Sequence, residues 1–177
     1  VEMSAAARRA LHLKRVWWLV SPQNPLKTAD GYQPFEQRVR HARDFTKGTR
    51  WLTVTDLEAS LPSRFTADTL AHLKERFPTT RFVWLMGADN LAGFHRWDRW
   101  EEIARLVPFC VVSRPGYDMA ALKSLAARRL SNRRLPLSAA PTLANRQAPA
   151  WLFLPTVHNP LSATALRAES SERKEPL

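Results

Sequence analysis

The hydrophobic pattern of the chain shows five short apolar runs, separated by longer segments of mixed polarity. The run at 82–86 is too uniformly apolar for a half-exposed strand and is typical of a strand covered on both faces. The run at 51–55 instead alternates between apolar and polar positions. Together the runs predict β-strands at 16–20, 51–55, 82–86, 109–113 and 151–154.

The segments between these runs have helical signals. Residues 34–47 end just before Gly48, and the helix beginning at Thr66 has Asp68 in its first turn and Pro78 beyond its end. Because strands alternate with helices, the pattern predicts a three-layer α/β domain with a mainly parallel sheet. The remaining predictions are helices at 2–13, 98–106, 119–130 and from Ser162 onward, and a loop at 131–149.

The composition narrows the class of protein. A length of 177 residues with 45% hydrophobic residues predicts a single domain over 1–177, and no apolar segment approaches the length of a membrane span. The chain does not begin with a basic stretch and an apolar signal core, so we expect a cytoplasmic protein. The single cysteine, Cys110, excludes an intrachain disulfide and is expected to be a buried small hydrophobe.

The net charge of +11 raises the question of nucleic-acid binding. Most basic residues are arginines spread along the predicted helices, often beside acids, so a nucleic-acid partner is not the first expectation. One concentrated cluster has no acid between its members, and we favour a solvated, mobile loop for it over a binding surface. The cluster consists of Arg128, Arg129, Arg133, Arg134 and Arg146.

The end of the strand at 82–86 is the candidate site. Ligands of open α/β sheets bind outside the carboxyl ends of the strands, where Gly87 and Asp89 follow. Gly87 allows close approach of the backbone to a ligand, and Asp89 can accept hydrogen bonds from a ribose. The alternative is an ordinary strand-to-helix turn in which Asp89 is the N-cap. Trp97 and Trp100 follow at helical spacing, which is also typical of simple packing.

Several motifs occur in a fixed order along the chain. They are VWWLVSPQNPLK (16–27), SRFTADTL (63–70), FVWLMGADNLAGFHRWDRWEEI (82–103), VVSRPGY (111–117) and LSATALR (161–167). In this order they resemble segments of the bacterial nicotinate-nucleotide adenylyltransferases, enzymes of NAD synthesis. The central segment is the most specific, because its Gly-x-Asp followed by Phe-x-x-Trp fits these enzymes better than the pantetheine-phosphate adenylyltransferases.

The resemblance implies a Rossmann-like nucleotidyltransferase fold and a transferase reaction. It implies that AMP passes from ATP to nicotinate mononucleotide, with Mg²⁺ assisting, to give deamido-NAD and pyrophosphate. The phosphate oxygen of the mononucleotide attacks the α-phosphorus directly, so the protein needs no nucleophile and acts by positioning and by stabilising charge. Nicotinate rather than nicotinamide mononucleotide is chosen on the resemblance alone, and the expected partners include neither a membrane nor nucleic acid.

The resemblance also implies the roles of individual residues, and assigns none of them to a resident metal. Trp97 would stack on the pyridine ring, whereas Trp100, Trp17, Trp18 and Trp84 are assigned to the core. The expected ATP-binding residues are Lys27, Gly87, Asp89, Ser162, Thr164 and Arg167. The expected nicotinate nucleotide-binding residues are Thr66, Trp97 and Arg114.

One family motif is not found in this sequence. The family begins with a glycine-containing strand and a His-x-Gly-His turn, whose histidines bind the ATP phosphates, and none of the five histidines here has that context. We therefore assign no catalytic residue. Our expectation is a fragment of a longer gene product that lacks the first strand and has impaired activity. The alternatives are a nucleotide-binding relative without turnover and a basic nucleic-acid-binding α/β domain.

Overall fold

The computed structural model of the protein describes residues 1–22 and 33–155. Within these ranges five strands are present, and every strand pair is parallel. All five lie at apolar runs of the sequence, so the predicted strands are confirmed. The strands are β1 (Val16–Leu19), β2 (Leu52–Thr55), β3 (Trp84–Gly87), β4 (Phe109–Val112) and β5 (Trp151–Leu154).

Helices connect the strands, as the alternating pattern predicts. The α-helices are α1 (Glu2–Ala10), α2 (Phe35–Phe45), α3 (Thr66–Arg76), α4 (Ala88–Gly93), α5 (Trp100–Leu106), α6 (Asp118–Leu122) and α7 (Leu125–Arg129). Short 3₁₀-helices occupy Leu57–Ser60, Phe94–Arg96, Ser131–Arg133 and Leu137–Asn145. None of the helices in the described ranges is long and apolar enough to cross a membrane.

The sheet formed by β3, β4 and β5 lies between two apolar layers, with β4 at its centre. All four residues of β4 are buried, and successive residues point to opposite faces. Phe109 and Val111 pack with α3, α4, α5 and α7, whereas Cys110 and Val112 pack with α1 and with Leu137–Asn145. The predicted three-layer α/β architecture is therefore confirmed.

The register of this sheet aligns the carboxyl ends of its strands. Gly87 is opposite Val112, and Val112 is opposite Leu154. Whatever follows each strand therefore emerges at the same edge of the sheet. This edge is where α/β proteins of this kind bind their ligands.

β1 and β2 form a separate two-stranded sheet, which differs from the one mainly parallel sheet that the sequence predicts. In the described ranges no strand pairs with the second edge of β1 or of β3. Aromatic side chains join the two sheets instead of a hydrogen-bonded ladder. The Trp17 ring packs edge-on against Phe77 and Phe82, with ring centroids 5.4 and 5.9 Å apart.

Three predicted elements differ from the structure. Residues 88–93 form α4 immediately after β3, where the sequence analysis expects a helix only in the alternative that makes Asp89 an N-cap. The helix predicted at 119–130 is divided into α6 and α7 at Ser124, because the Ser124 hydroxyl accepts a hydrogen bond from the Ala127 amide and begins a new helix. The predicted loop at 131–149 contains two 3₁₀-helices, and Leu143 in the second of them is fully buried.

Candidate active site

The Asp89 carboxylate and the Arg114 guanidinium meet at the carboxyl edge of the three-stranded sheet. Asp89 lies in the first turn of α4, directly after β3, and Arg114 lies two residues beyond the end of β4. Arg114 Nη1 is 3.0 Å from Asp89 Oδ2, and both side chains are half-exposed. The structure therefore brings together three residues that the sequence analysis assigned to nucleotide binding, namely Gly87, Asp89 and Arg114.

Gly87 is the residue that makes room for this ion pair. A Cβ atom at position 87 would overlap Asp89 Oδ1 and would lie 3.2 Å from Arg114 Nε. The backbone of Gly87 is extended, with φ of −77°, so a glycine is needed here for space and not for an unusual conformation.

The two oxygens of the Asp89 carboxylate differ in their surroundings. Oδ2 accepts a hydrogen bond from Arg114, whereas Oδ1 is buried and accepts none from the described residues. The interpretation of Asp89 as an N-cap is wrong, because Gly87 is the N-cap of α4 and no side chain caps that helix. Asp89 therefore keeps one unused acceptor at the site, which is costly for a buried polar atom unless a ligand donor reaches it.

The turn after β4 is held by a residue that sequence reasoning missed. Asp118, the first residue of α6, accepts a hydrogen bond from Ser113 Oγ at 2.6 Å and another from the Arg114 backbone amide at 2.9 Å. An acid four residues after Arg114 is the only signal in the sequence. It is a weak signal, because the two hydrogen bonds depend on how the chain reverses at Gly116, whose φ is +79°.

Two of the three residues assigned to the nicotinate nucleotide, Thr66 and Trp97, lie on two segments joined by an ion pair. Thr66 is the first residue of α3, and Trp97 follows the 3₁₀-helix Phe94–Arg96. Asp68 Oδ2, in the first turn of α3, is 2.6 Å from Arg99 Nη2. The hydrogen bond from Arg99 lowers the pKa of Asp68, and a second hydrogen bond from the Ser63 hydroxyl adds to the effect. The structure thus links the two segments through Asp68 and Arg99.

The two tryptophans of this region have similar surroundings. Trp97 and Trp100 both pack edge-on against Phe94, with ring centroids 5.6 and 5.7 Å apart, and both are half-buried against the core. Packing therefore does not separate Trp97 from Trp100, and their assignment to the site and to the core remains a prediction.

Comparisons with known proteins identify the family of the chain. The model of the cytidylyltransferase-like family matches residues 1–169. The chain is 47% identical over 167 residues to a probable nicotinate-nucleotide adenylyltransferase of Methylorubrum extorquens, covering 94% of this chain and 90% of that protein. This chain belongs to the nicotinate-nucleotide adenylyltransferases, within the cytidylyltransferase-like family.

Further family members and solved structures support the assignment of the fold. A probable nicotinate-nucleotide adenylyltransferase of Gluconobacter oxydans is 45% identical over 173 residues, covering 98% of this chain and 88% of that protein. The structure also resembles the Plasmodium falciparum nicotinic acid mononucleotide adenylyltransferase complexed with APC, with a TM-score of 0.56 and 15% identity. The same enzyme complexed with NaAD gives a TM-score of 0.58 and 16% identity. Each alignment covers 96% of this chain and 73% of the other, and the predicted Rossmann-like fold is confirmed.

Four of the expected ATP-binding residues lie outside the described residues. They are Lys27, Ser162, Thr164 and Arg167, and the predicted last helix lies with them. Their roles in this family member therefore remain expectations. Among residues 1–22 and 33–155 there is no group of three or more histidine, cysteine, aspartate or glutamate side chains that could hold a metal.

The arginine cluster is not part of the Asp89–Arg114 pair. Arg129 and Arg133 line a shallow cleft of about 220 Å³ beside α5, together with Trp100 and Glu101. Arg129 pairs with Glu101 at 3.1 Å, and Arg134 stacks on the Trp151 ring at 5.4 Å. The solvent exposure expected of the cluster is confirmed, but Arg128, Arg129 and Arg133 are on helices and not in a loop.

Proposed function

We propose that this protein transfers AMP from ATP to nicotinate mononucleotide, giving deamido-NAD and pyrophosphate in NAD biosynthesis. The observation that carries the proposal is the 47% identity, over 94% of the chain, to a probable nicotinate-nucleotide adenylyltransferase. A phosphate oxygen of the mononucleotide forms a bond to the α-phosphorus of ATP. The bond from that phosphorus to the bridging oxygen breaks, and the electron pair leaves with pyrophosphate.

The reaction needs positioning and charge stabilisation and no covalent intermediate on the enzyme. Mg²⁺ enters as the magnesium complex of ATP, so the protein is not required to supply a metal site of its own. Lys27, Ser162, Thr164 and Arg167 are assigned to the ATP phosphates on the resemblance of their motifs. Cationic side chains and backbone amides at a helix start are the groups that favour phosphate.

The Asp89–Arg114 pair gives the two nucleotides a shared contact surface. The half-exposed Asp89 carboxylate accepts a hydrogen bond from a ribose hydroxyl of the adenosine. Arg114 has five N–H donors, and its contact with Asp89 uses one nitrogen. The remaining donors contact the phosphate or ribose of nicotinate mononucleotide.

The nicotinate ring is assigned to the segments joined by Asp68 and Arg99. Thr66 supplies a hydroxyl near the start of α3, and Trp97 supplies a flat aromatic surface for the pyridine. The ion pair between Asp68 and Arg99 joins the two segments.

The experiment that tests the function measures pyrophosphate release by the full-length protein from Mg-ATP. Nicotinate mononucleotide, nicotinamide mononucleotide and buffer alone are compared as acceptors. We expect release with the nicotinate compound, and slower release or none with the other two. A protein that is stabilised against heat by ATP but releases no pyrophosphate with either acceptor is a nucleotide-binding relative, and the proposed function is then wrong.

A further inference from the structure

Both carboxylate oxygens of Asp118 accept hydrogen bonds from residues that precede it in the chain. Oδ2 accepts from the Ser113 hydroxyl at 2.6 Å, and Oδ1 accepts from the Arg114 amide at 2.9 Å. Ser113 is 3% exposed, so its hydroxyl has little access to water as a substitute partner. Asp118 begins α6, yet no side chain caps that helix. The carboxylate therefore stabilises the turn at the end of β4 and does not cap its own helix.

The backbone at the end of β4 needs this support. The Ser113 amide donates a hydrogen bond to the Leu154 carbonyl in the sheet, at 3.0 Å. The next amide, that of Arg114, donates to the Asp118 carboxylate and not to the sheet. A tight turn then follows, closed by a hydrogen bond from the Tyr117 amide to the Arg114 carbonyl at 3.0 Å. Without Asp118 the Arg114 amide would lose its acceptor at the point where the strand ends.

We infer that Asp118 is a positioning residue for adenylyl transfer, because it fixes the backbone from which the Arg114 guanidinium reaches Asp89. This inference rests on the proposed function. A continuous set of contacts runs from Asp118 through Arg114 to the Asp89 carboxylate, at 2.9 and 3.0 Å. Asp118 itself touches neither nucleotide in this account, and its effect passes through Arg114.

Loss of the Asp118 carboxylate should affect the binding of nicotinate mononucleotide more than kcat. Loss of the Asp118 carboxylate lets the turn rearrange, so that Arg114 spends less time in the position that contacts nicotinate mononucleotide. We expect Asp118→Ala, which removes both acceptors, to raise the KM for that substrate roughly tenfold, the usual effect of losing a hydrogen bond to a charged group. The value of kcat should change less than about twofold, since the groups at the reacting phosphates stay in place.

A double-mutant cycle separates positioning from general stability. The variants are Asp118→Ala, Arg114→Ala and the combination, with Asp44→Ala as the control for loss of a carboxylate at an exposed position of α2. If Asp118 acts through Arg114, Asp118→Ala changes kcat/KM less than about twofold in the Arg114→Ala background. A purely structural role would lower the melting temperature and the active fraction equally in both backgrounds and leave KM unchanged.

The outcomes distinguish the two proposals. An effect of Asp118→Ala that persists at full size without Arg114, or an unchanged KM in the single variant, overturns the inference. If Arg114→Ala itself leaves both substrate affinities unchanged, the assignment of the active site to the carboxyl edge of the three-stranded sheet is wrong. Should Asp118→Ala not fold, Ser113→Ala removes one of the same two hydrogen bonds. We then expect a KM rise of about threefold that again requires Arg114.

Discussion

Asp68 on α3 and Arg99 at the start of α5 are joined by an ion pair of 2.6 Å, although 31 residues separate them in the chain. Arg99 is also the N-cap of α5 and has a φ of +49°, in the left-handed region that is costly for a residue with a side chain. The pair therefore fixes both the relative position of two helices and the backbone that leads away from Trp97. We propose that it shapes the nicotinate side of the site.

Replacing Asp68 with asparagine should weaken the binding of nicotinate mononucleotide more than the binding of ATP. Both side chains of the pair are more than a third exposed, so the change in melting temperature should be small, below about 3 °C. Measuring both KM values tests this prediction, and Asp56→Asn, which breaks the exposed pair with Arg43, is the matched control. Equal changes in the two KM values would contradict a role on the nicotinate side.

The contribution of Asp68 to stability should depend on pH in the acid range. Its pKa in the folded protein is lowered from the ordinary value of 3.8, so folding favours the charged form. The contribution is therefore fully present above about pH 5 and is lost as the pH falls through the lowered pKa. Denaturant unfolding of the wild type and of Asp68→Asn should show a constant difference at about pH 5–7 and convergence below about pH 4. A stability difference between the wild type and Asp68→Asn that grows as the pH falls would contradict this prediction.

The Gly87→Ala substitution should lower the affinity for ATP more than Gly93→Ala does. The added methyl group overlaps Asp89 Oδ1 and separates Asp89 from Arg114, so we expect ATP affinity to fall more than about tenfold. Gly93→Ala on the same helix is the control, because its methyl group meets the movable end of the Arg96 side chain. In Gly87→Ala/Asp89→Ala the overlap with Oδ1 is gone, so thermal stability should recover while ATP binding does not.

Trp97 and Trp100 should differ in function although they pack on the same ring. Trp97→Ala should raise the KM for nicotinate mononucleotide by about tenfold, the size expected for loss of a stacking partner. Trp100→Ala should mainly lower the melting temperature. Steady-state kinetics and thermal unfolding of the two variants test the assignment, and a larger KM effect at Trp100 would reverse it.

Cys110 should be unreactive in the folded protein. Its side chain is fully buried in β4, and burial raises the pKa of the thiol to about 12, so almost no thiolate is present at about pH 8. Iodoacetamide should label the protein only after unfolding, which makes the single cysteine a probe of the central strand. Rapid labelling under native conditions would mean that β4 opens more readily than its packing indicates.

The sequence was sufficient for the elements that depend on local pattern. All five strands lie at apolar runs, and α3 begins at Thr66 with Asp68 in its first turn, as predicted. It was not sufficient for α4, because a six-residue helix that follows a strand directly has too few turns to show a period. The contact between Asp68 and Arg99 and the role of Asp118 were also missed. Asp68 and Arg99 are far apart in the chain, and Asp118 reaches Ser113 and Arg114 only because the chain turns back at Gly116. The local sequence pattern does not predict such contacts.

The most direct test of the account is the rate of deamido-NAD formation from Mg-ATP and nicotinate mononucleotide, followed by chromatography. Asp89→Ala is compared with Asp44→Asn and the wild type. We expect the wild type and Asp44→Asn to form deamido-NAD at similar rates and Asp89→Ala to lose at least about tenfold in kcat/KM for ATP, since the carboxylate assigned to the ribose and its pair with Arg114 are removed. An unchanged rate in Asp89→Ala would contradict the placement of the site at the carboxyl ends of β3 and β4.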